Sequence, residues 1–546
     1  MTQAETILDR YKIAKGTRTN FESYWQTLHD YFYVNSADYN KSYFPGTELD
    51  TTKIYDPTGF EAADVLASGL MNYLTPSTTT WFKLIHGNPA KRSSKNIQVY
   101  LDDVSSEINL ILNKSNFYNT IIDVYKSSGV YGTACLLGEE DIEDGIRFYS
   151  LPLNQIAIIE NGRGSVSEYY IEFEYTAYQV MTKWGKEVLS EEQKNDLEQR
   201  KDNKYKYVLY IGKRYARDDS KTDKDNMPFE AIWVDIKNKK IVSEEGYHEM
   251  PAMVHRFDKR PFIPWGFSPA MKALPFVRTL NAAAKTNLRA LMKRNDPPIA
   301  VPHNAFIAPF NANPRAINYY RSDVISNAQA DIFTFANNGD PQSGLMTIEY
   351  YTNAVNKMMY RDVFLAFDSL TKQMNNPEIV ERINEKFTML GPAVGRFIAE
   401  LLNPAIERTI GVAFRAGRLP EPPDEMIEDP NYEIEYVSSL AQTQKRNQLN
   451  SLLNALTASA QIAQFIPESL QKIDGDKAID EIWAMNGAPA RVLRSDEEIV
   501  AIREGIAQQQ AAEQQLAAMG AGANIAKTAA EGEKALYEAK AKRGTV

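Results

Sequence analysis

PFIPWGFSPAMKALPFVRTLNAAAKTNLRALMKRNDPP, residues 261–298, is a proline-punctuated lead-in followed by a long helical run and a hard stop. Ser268 is placed to cap the helix and Pro269 suits its first turn. Lys293 and Arg294 complement the C-terminal dipole, and Asp296-Pro297-Pro298 ends the run. Roughly 27 helical residues would span about 40 Å. Pro275 should kink this helix or displace its start, which makes that length an upper bound. A second helical pattern, about 346–368, carries Ile348, Tyr351, Val355, Met358, Met359, Val363, Phe364 and Phe367. Between the two lies a compact insert, 296–342, rich in Pro and Asn, with strand-like pieces at 299–301 and 331–335. Two long helices flanking a small insert predict an αα-hairpin with a decorated tip.

Toward the N-terminus, residues 5–34 read as an aromatic-rich buried helix with Ile7, Tyr11, Ile13, Trp25, Leu28, Tyr31 and Phe32 near one side, interrupted at 16–20. Asp56 is a candidate cap for a helix over 59–74, which Thr75-Pro76-Ser77 ends; another helix is expected over 97–113. From 130 to 178 the texture turns to β, with strands expected at 134–137, 156–159 and 169–175, then at 205–210 and 231–236. Toward the C-terminus, 371–376 is a polar loop and Asn376-Pro377-Glu378 restarts a helix with its stripe on Ile379, Ile383, Phe387, Leu390, Val394, Phe397, Leu401 and Ile406. Gly391-Pro392 in its middle predicts a kink, and Gly417 its end. Helices follow at about 440–465, 476–486 and 495–518. Beyond Gln508 the Ala, Gln, Glu and Lys bias predicts an extended helix or a mobile tail. The fold class is therefore α+β, predominantly helical, without a solenoid or propeller repeat.

With 546 residues, 43% hydrophobic and 11% aromatic, the chain has the means to bury a large core without cofactor or disulfide. Its single cysteine, Cys135, excludes an internal disulfide framework and suits a reducing compartment or indifference to redox state, so cytoplasmic assembly fits. The N-terminus lacks a signal pattern and no apolar run approaches the ~18 residues that span a bilayer, so neither secretion nor membrane insertion is expected. Sixty-one Lys+Arg against 71 Asp+Glu give a net charge of −10, the wrong sign for gripping nucleic acid over the general surface. If DNA is a partner, contact must be local or deliberately weak.

Motifs for chemistry are sparse. No Walker A pattern is present, since Gly185-Lys186 and Gly212-Lys213 lack the upstream glycine and the following Ser or Thr. Asn161-Gly-Arg-Gly164 shares part of a dinucleotide fingerprint but sits between strands, with Ser167 for the third glycine, and reads as a turn. His29, His86, His248, His255 and His303 are scattered without metal-ligand spacing. Gly266-Phe-Ser-Pro-Ala270 shares an outline with a nucleophile elbow, but Pro269 favours the helix cap. The acidic run Glu139, Glu140, Asp141, Glu143, Asp144 has the ligand types of a two-metal nuclease, and Gly138 and Gly145 bracket it as a solvated hairpin tip, the favoured reading. Asp474-Gly-Asp476 lacks the spaced ligands of a calcium loop. One charge pattern stands out: Arg278, Lys285 and Arg289 fall within about 40° on the first long helix, with Lys293 slightly further round. Such a stripe is either solvated or subunit-facing, or it forms a basic ring around a central duplex. Lys372, Gln373, Asn375 and Asn376 in the polar loop pose the same question, as donors for weak sliding contact with phosphates.

Several motifs in order resemble the head-to-tail connector, or portal, family of short-tailed bacteriophages. They are Ile54-Tyr-Asp-Pro-Thr-Gly59, Ala67-Ser-Gly-Leu70, Leu74-Thr-Pro76, Trp81-Phe82, Tyr149-Ser-Leu-Pro-Leu153, Pro264-Trp-Gly-Phe-Ser-Pro-Ala270, Leu280-Asn281 and Asp296-Pro-Pro298. Most specific are Met389-Leu-Gly-Pro392, Gly395-Arg396, Glu400-Leu-Leu-Asn-Pro404, Arg415-Ala-Gly417 and Leu419-Pro420; Phe267 stands where the family has a basic residue. The resemblance implies an α+β wing over 1–265, a first stem helix over 266–295 and a small α/β clip over 296–342. It further implies a second stem helix over 343–370, a tunnel loop over 371–376, a kinked helix returning through the wing over 377–436, and a helical crown with a C-terminal barrel or mobile tail over 437–546. It implies a dodecameric ring at the head-tail junction of the virion, with double-stranded DNA passing through it. The implied partners are the terminase large subunit, a tail adaptor, and scaffolding, internal core and major capsid proteins. No catalytic residue, cofactor, metal or membrane partner is implied. Rival readings are a tail or adaptor ring protein and a phage nuclease built on the acidic hairpin.

Overall fold

The computed structural model describes residues 2–33, 54–92, 94–141, 143–218, 220–221, 223–295, 299–300, 309, 319, 333–334, 341–365, 390–437, 439–463, 473–486, 498–511 and 531–536. In chain order the elements are α1 (Gln3–Phe32), α2 (Thr58–Leu74), β1 (Phe82–His86), α3 (Lys95–Lys114), α4 (Phe117–Tyr131), β2 (Thr133–Asp141), β3 (Gly145–Leu151), β4 (Ile156–Glu160) and β5 (Val166–Thr176). There follow α5 (Ala177–Trp184), α6 (Glu191–Glu198), β6 (Lys204–Lys213), β7 (Phe229–Asp235), β8 (Lys240–Tyr247), β9 (Ala252–Arg256), α7 (Pro269–Asn295), β10 (Ile299–Ala300), β11 (Phe333–Thr334) and α8 (Pro341–Met358). The last are α9 (Gly391–Arg396), a π-helical turn (Phe397–Leu402), α10 (Asn403–Arg415), α11 (Asp424–Glu428), β12 (Tyr432–Tyr436), α12 (Ser439–Ala463) and α13 (Gly475–Asn486). The fold is α+β and helix-dominated. Among the described residues no helix is long and apolar enough to cross a membrane.

The chain divides into two compact units, Met1–Phe82 with Val104–Pro420 and Tyr436–Leu440, and Lys83–Asp103 with Glu421–Glu435 and Ala441–Val546. In the first, a five-stranded antiparallel sheet, order β4-β5-β6-β7-β8, receives one face of α1. Ile7, Leu8, Tyr11 and Ala14 pack with Ala157, Tyr170, Val208, Ile232 and Val234. A three-stranded sheet, order β3-β2-β9, lies in the same unit. The far half of α1 buries Trp25 and Phe32 completely, and the Trp25 indole N–H donates to the Tyr131 carbonyl at 3.1 Å. In the second unit, β1 pairs with β12, Arg92 reaches Glu433 at 2.8 Å, and α11 and α13 are short helices. Asp474 accepts from the first-turn Lys477 N–H at 3.3 Å and so serves as a helix cap.

Two expectations need correction. The interruption at 16–20 does not occur: α1 is continuous, with the Thr17 and Thr19 hydroxyls bonding back to the Ala14 and Lys15 carbonyls within the helix. The second long helix does not run through to 368 as a single rod; it ends at Met358, and Tyr360, at φ +57°, turns the chain before a further helical stretch at 361–365. Along the stripe expected from 379 onward, the described part begins at Leu390, and the π-turn lies ahead of Pro404. Residues 366–389 lie outside the described residues, as does most of the insert 296–342. Of its two strand-like pieces, Ile299–Ala300 and Phe333–Thr334 pair antiparallel.

Pro275 sits inside α7, which nonetheless runs unbroken for 27 residues. A proline cannot donate to the carbonyl four residues back, here that of Met271. Tyr24 of α1 supplies the missing donor, its hydroxyl lying 3.2 Å from that carbonyl. The length estimate was therefore no overestimate.

Candidate functional site

The α7–α8 pair carries the candidate site, and the start of α7 is fixed by Ser268. Its hydroxyl accepts from the Met271 N–H at 3.0 Å and donates to the Val130 carbonyl at 2.7 Å, and the residue is buried. The side chain is thus spent on capping and anchoring, which disposes of the nucleophile reading. Along its length α7 buries Ala273, Leu274, Val277, Leu280 and Asn281. Buried Asn281 accepts from the backbone N–H groups of Tyr55 and Asp56, at 2.6 and 3.2 Å, and so ties down the entry to α2. Further along, α8 comes so close that a Cβ on Gly344 would sit 2.6 Å from Asn287 Oδ1. Phe276 and Tyr351 meet across the pair with ring centroids 6.2 Å apart.

On the opposite side lies the basic stripe. Arg278, Arg289 and Lys293 are exposed, while Lys285 is half-buried. Lys285 directs its ammonium over the Tyr55 ring at 4.9 Å, and the Arg278 guanidinium lies 6.0 Å from the Tyr31 ring. The four predicted residues do share a helix, but the two nearer its start are partly engaged by aromatic faces that the sequence pattern gave no hint of. Lys372, Gln373, Asn375 and Asn376 lie outside the described residues.

The acidic run is not a freely solvated turn. Glu139 and Glu140 belong to β2 and side with different partners: Glu139 accepts from the Tyr247 hydroxyl at 3.1 Å, whereas Glu140 lies 3.2 Å from Arg408 and 2.9 Å from Arg415. Burial pushes the Glu139 carboxyl up, with Tyr247 and Arg408 opposing. Asp141 turns the hairpin by accepting from the Glu143 and Asp144 N–H groups, both at 2.9 Å. Among the described residues no group of three or more His, Cys, Asp or Glu side chains is placed to hold a metal ion. His255 is buried in β9 with its ring stacked 3.6 Å from that of Phe397, and burial, then Arg256, drives its pKa well below the ordinary value. Asn161-Gly-Arg-Gly164 is a β-turn, its Asn161 side chain accepting from Arg163 and Ser165.

Sequence reasoning missed two buried ion clusters. Arg256, on β9, is buried between Glu160 of β4 and Glu400 of the π-turn, with its own N–H donating to Glu400 at 2.9 Å. Fully buried Arg408 of α10 lies 3.0 Å from Glu249 and 5.1 Å from the Tyr247 ring, and Arg415 reaches Glu249 at 2.7 Å. Both clusters hold the helix of α9, the π-turn and α10 against the sheets. Among the described residues the arrangement is one of helices braced on sheets, with these polar residues engaged in the bracing.

The comparisons with known proteins bear on this arrangement. The family model for bacteriophage head to tail connecting protein matches residues 4–493. The chain belongs to this family. The connector chain is also 31% identical over 535 residues to the portal protein of Salmonella phage epsilon15, covering 97% of this chain and 96% of that one. It is 28% identical over 529 residues to the probable portal protein of Bordetella phage BPP-1, covering 96% and 95%. Neither relative is named as a tail adaptor or a nuclease.

Proposed function

We propose that this connector chain is a viral portal: the subunit of a ring at the head-tail junction of the virion through which the genome is packaged and later ejected. The carrying observation is the similarity, end to end, to proteins named as portals. In this reading 1–265 is the wing, α7 and α8 are stem helices, and 296–342 is the clip. Residues 371–376 form the tunnel loop, 377–436 return through the wing, and 437–546 build the crown. The ring is a dodecamer of identical subunits whose stem helices pack laterally on apolar faces and turn polar ones to the bore.

Double-stranded DNA slides past Arg278, Arg289 and Lys293, with Lys285 held back by Tyr55, and past Lys372, Gln373, Asn375 and Asn376. A chain of net charge −10 suits this task, because a bore with few cations holds phosphates loosely. The clip docks the terminase large subunit, which supplies the ATP chemistry, and then the tail adaptor. Scaffolding, internal core and major capsid proteins meet the ring as the head assembles in the host cytoplasm. Complementation tests the reading: phage lacking this chain should yield heads without DNA and without tails, and supplying it should restore both. Heads that fill normally without it would refute the proposal.

A further inference from the structure

The loop at 258–267 presents Phe262, which is fully exposed (100%) at a backbone φ of +63°. A bulky residue in the left-handed region must be held there by its surroundings. Here the holding is thorough. Asp258 and Phe267 exchange both backbone hydrogen bonds, at 2.7 and 3.1 Å, closing the loop at its base. The Ile263 N–H turns back to the Arg260 carbonyl at 3.4 Å, and Pro261 and Pro264 stiffen either side. Trp265 is fully buried with its indole N–H donating to Thr17 at 3.2 Å, and Lys259 is fixed to Glu160 at 2.9 Å. The Arg260 guanidinium lies 4.0 Å over the Phe267 ring, and no described carboxylate is within ion-pair distance of it. Folding of the single chain gains nothing from this tip, since Phe262 buries no surface and its backbone is strained. A rigid aromatic with an unpaired arginine two residues away has the composition of an interface anchor, ordered in advance.

A second surface of the same unit complements it. Glu107, Lys114, Glu143, Asp144 and Arg418 line an open cavity of about 350 Å³. No described lysine or arginine lies within ion-pair distance of its three carboxylates. Leu110, which is 45% exposed, falls on the same face of α3 as Glu107 and Lys114 and supplies an apolar rim. With Lys114 and Arg418 beside the three carboxylates the face is acidic by one charge, which complements the single unpaired cation of the tip. Two different, complementary patches on one chain are what a head-to-tail contact between identical subunits needs, and such a contact makes a ring where its rotation closes.

We infer that the Arg260–Phe262 tip of one subunit docks on the Glu107, Leu110, Asp144 face of the next copy. The inference rests on the ring reading above and specifies one of its contacts. The sole cysteine, Cys135, is buried, so introduced cysteines report without background. Native mass spectrometry of the wild-type chain comes first; the absence of rings at every concentration would sink the ring reading and this contact with it. Given rings, oxidised Phe262→Cys with Leu110→Cys should give a covalent ladder of subunits on a non-reducing gel, and neither single variant should. Phe262→Asp should raise the concentration for half-assembly by about tenfold or more. Phe262→Gly should do likewise while raising the thermal midpoint of the monomer, because it releases the strained backbone. Rings forming at wild-type concentrations in both variants would overturn the proposal. So would 262-to-262 crosslinked dimers, which imply a two-fold contact, or a defect confined to incorporation into heads, which assigns the tip to another virion protein.

Discussion

At the scale of single residues, the packing of α1 on the five-stranded sheet is held in part by a carboxylate that must stay ionised. Glu172 of β5 sits between Lys206 at 2.8 Å and Lys15 at 3.1 Å and accepts from the Tyr11 hydroxyl. Burial alone would raise its pKa, but these three donors outweigh it and bring it down from 4.5 to about 2. A depressed folded-state pKa stabilises fully above pH 4.5, and that contribution is lost as the pH falls toward 2. With both lysines partly exposed, its size is on the order of 1–2 kcal/mol. The thermal midpoint of Glu172→Gln should therefore lie below wild type at pH 7, the gap closing below about pH 4; a gap independent of pH would contradict the assignment. Arg408 poses a sharper test. Removing it by Arg408→Leu leaves Glu249 with Arg415 alone and should cost about 3 kcal/mol by denaturant unfolding. Arg415→Gln, at a side chain 31% exposed, should cost clearly less. Equal costs would mean that burial of Arg408 is not what matters. Neither cluster was legible in the sequence, because Arg408 and Glu249 are 159 residues apart and each looks like an ordinary surface charge until the fold joins them.

At the scale of elements, β2, β4, β5, β6 and β7 and the helices α1, α2, α3 and α7 followed from alternation, helical spacing and turn chemistry, whereas β1, β3, β8, β9, β12 and α4 to α6 did not. Ser268 as cap, Asn161-Gly-Arg-Gly164 as turn and Gly417, at φ +64°, as the end of α10 all stand as read, because each depends on neighbours within a few residues. What failed depended on tertiary contact. Pro275 does not displace the start of α7 from Pro269, and the Tyr24 hydroxyl that serves the Met271 carbonyl comes from a helix nearly 250 residues earlier in the chain. Tyr24→Phe should destabilise the protein by about 1 kcal/mol, and Pro275→Ala, which restores the helical N–H, should recover most of it in the double variant. Additive effects in that cycle would show that the hydroxyl plays no such part. The break at Tyr360 was likewise invisible to periodicity: Val363 and Phe364 keep helical spacing with Val355 and Met359 although the backbone turns between them. The basic stripe belongs to this scale too. Replacing Arg278, Arg289 and Lys293 together by glutamine removes exposed charges, so stability should change by no more than about 0.5 kcal/mol per site. Binding of linear duplex to the assembled ring should weaken and its dependence on salt should flatten, as measured by fluorescence anisotropy across a salt series. Unchanged affinity and slope would place the stripe away from DNA.

At the scale of the whole molecule, the family to which the chain belongs joins head to tail. Among the described residues, His29, His86 and His255, the acidic hairpin and Ser268 are engaged in packing, capping and bracing. In the proposed ring, the cations of α7 are assigned to the bore, and the salt series tests that assignment. Of the motifs that carry the family resemblance, Tyr149-Ser-Leu-Pro-Leu153 and Pro264-Trp-Gly-Phe-Ser-Pro-Ala270 were legible because they sit at joints between elements, where backbone geometry narrows the choice of residue. The assembly was not, since a single chain's sequence does not mark which of its faces meets a neighbour. The central claim is that this chain works as a ring. Native mass spectrometry of the purified full-length protein, combined with class averages of particles viewed end on, tests it most directly. The account predicts a closed ring of roughly a dozen subunits around an open bore; a monodisperse monomer or a compact dimer at every concentration, with or without capsid proteins present, would contradict it.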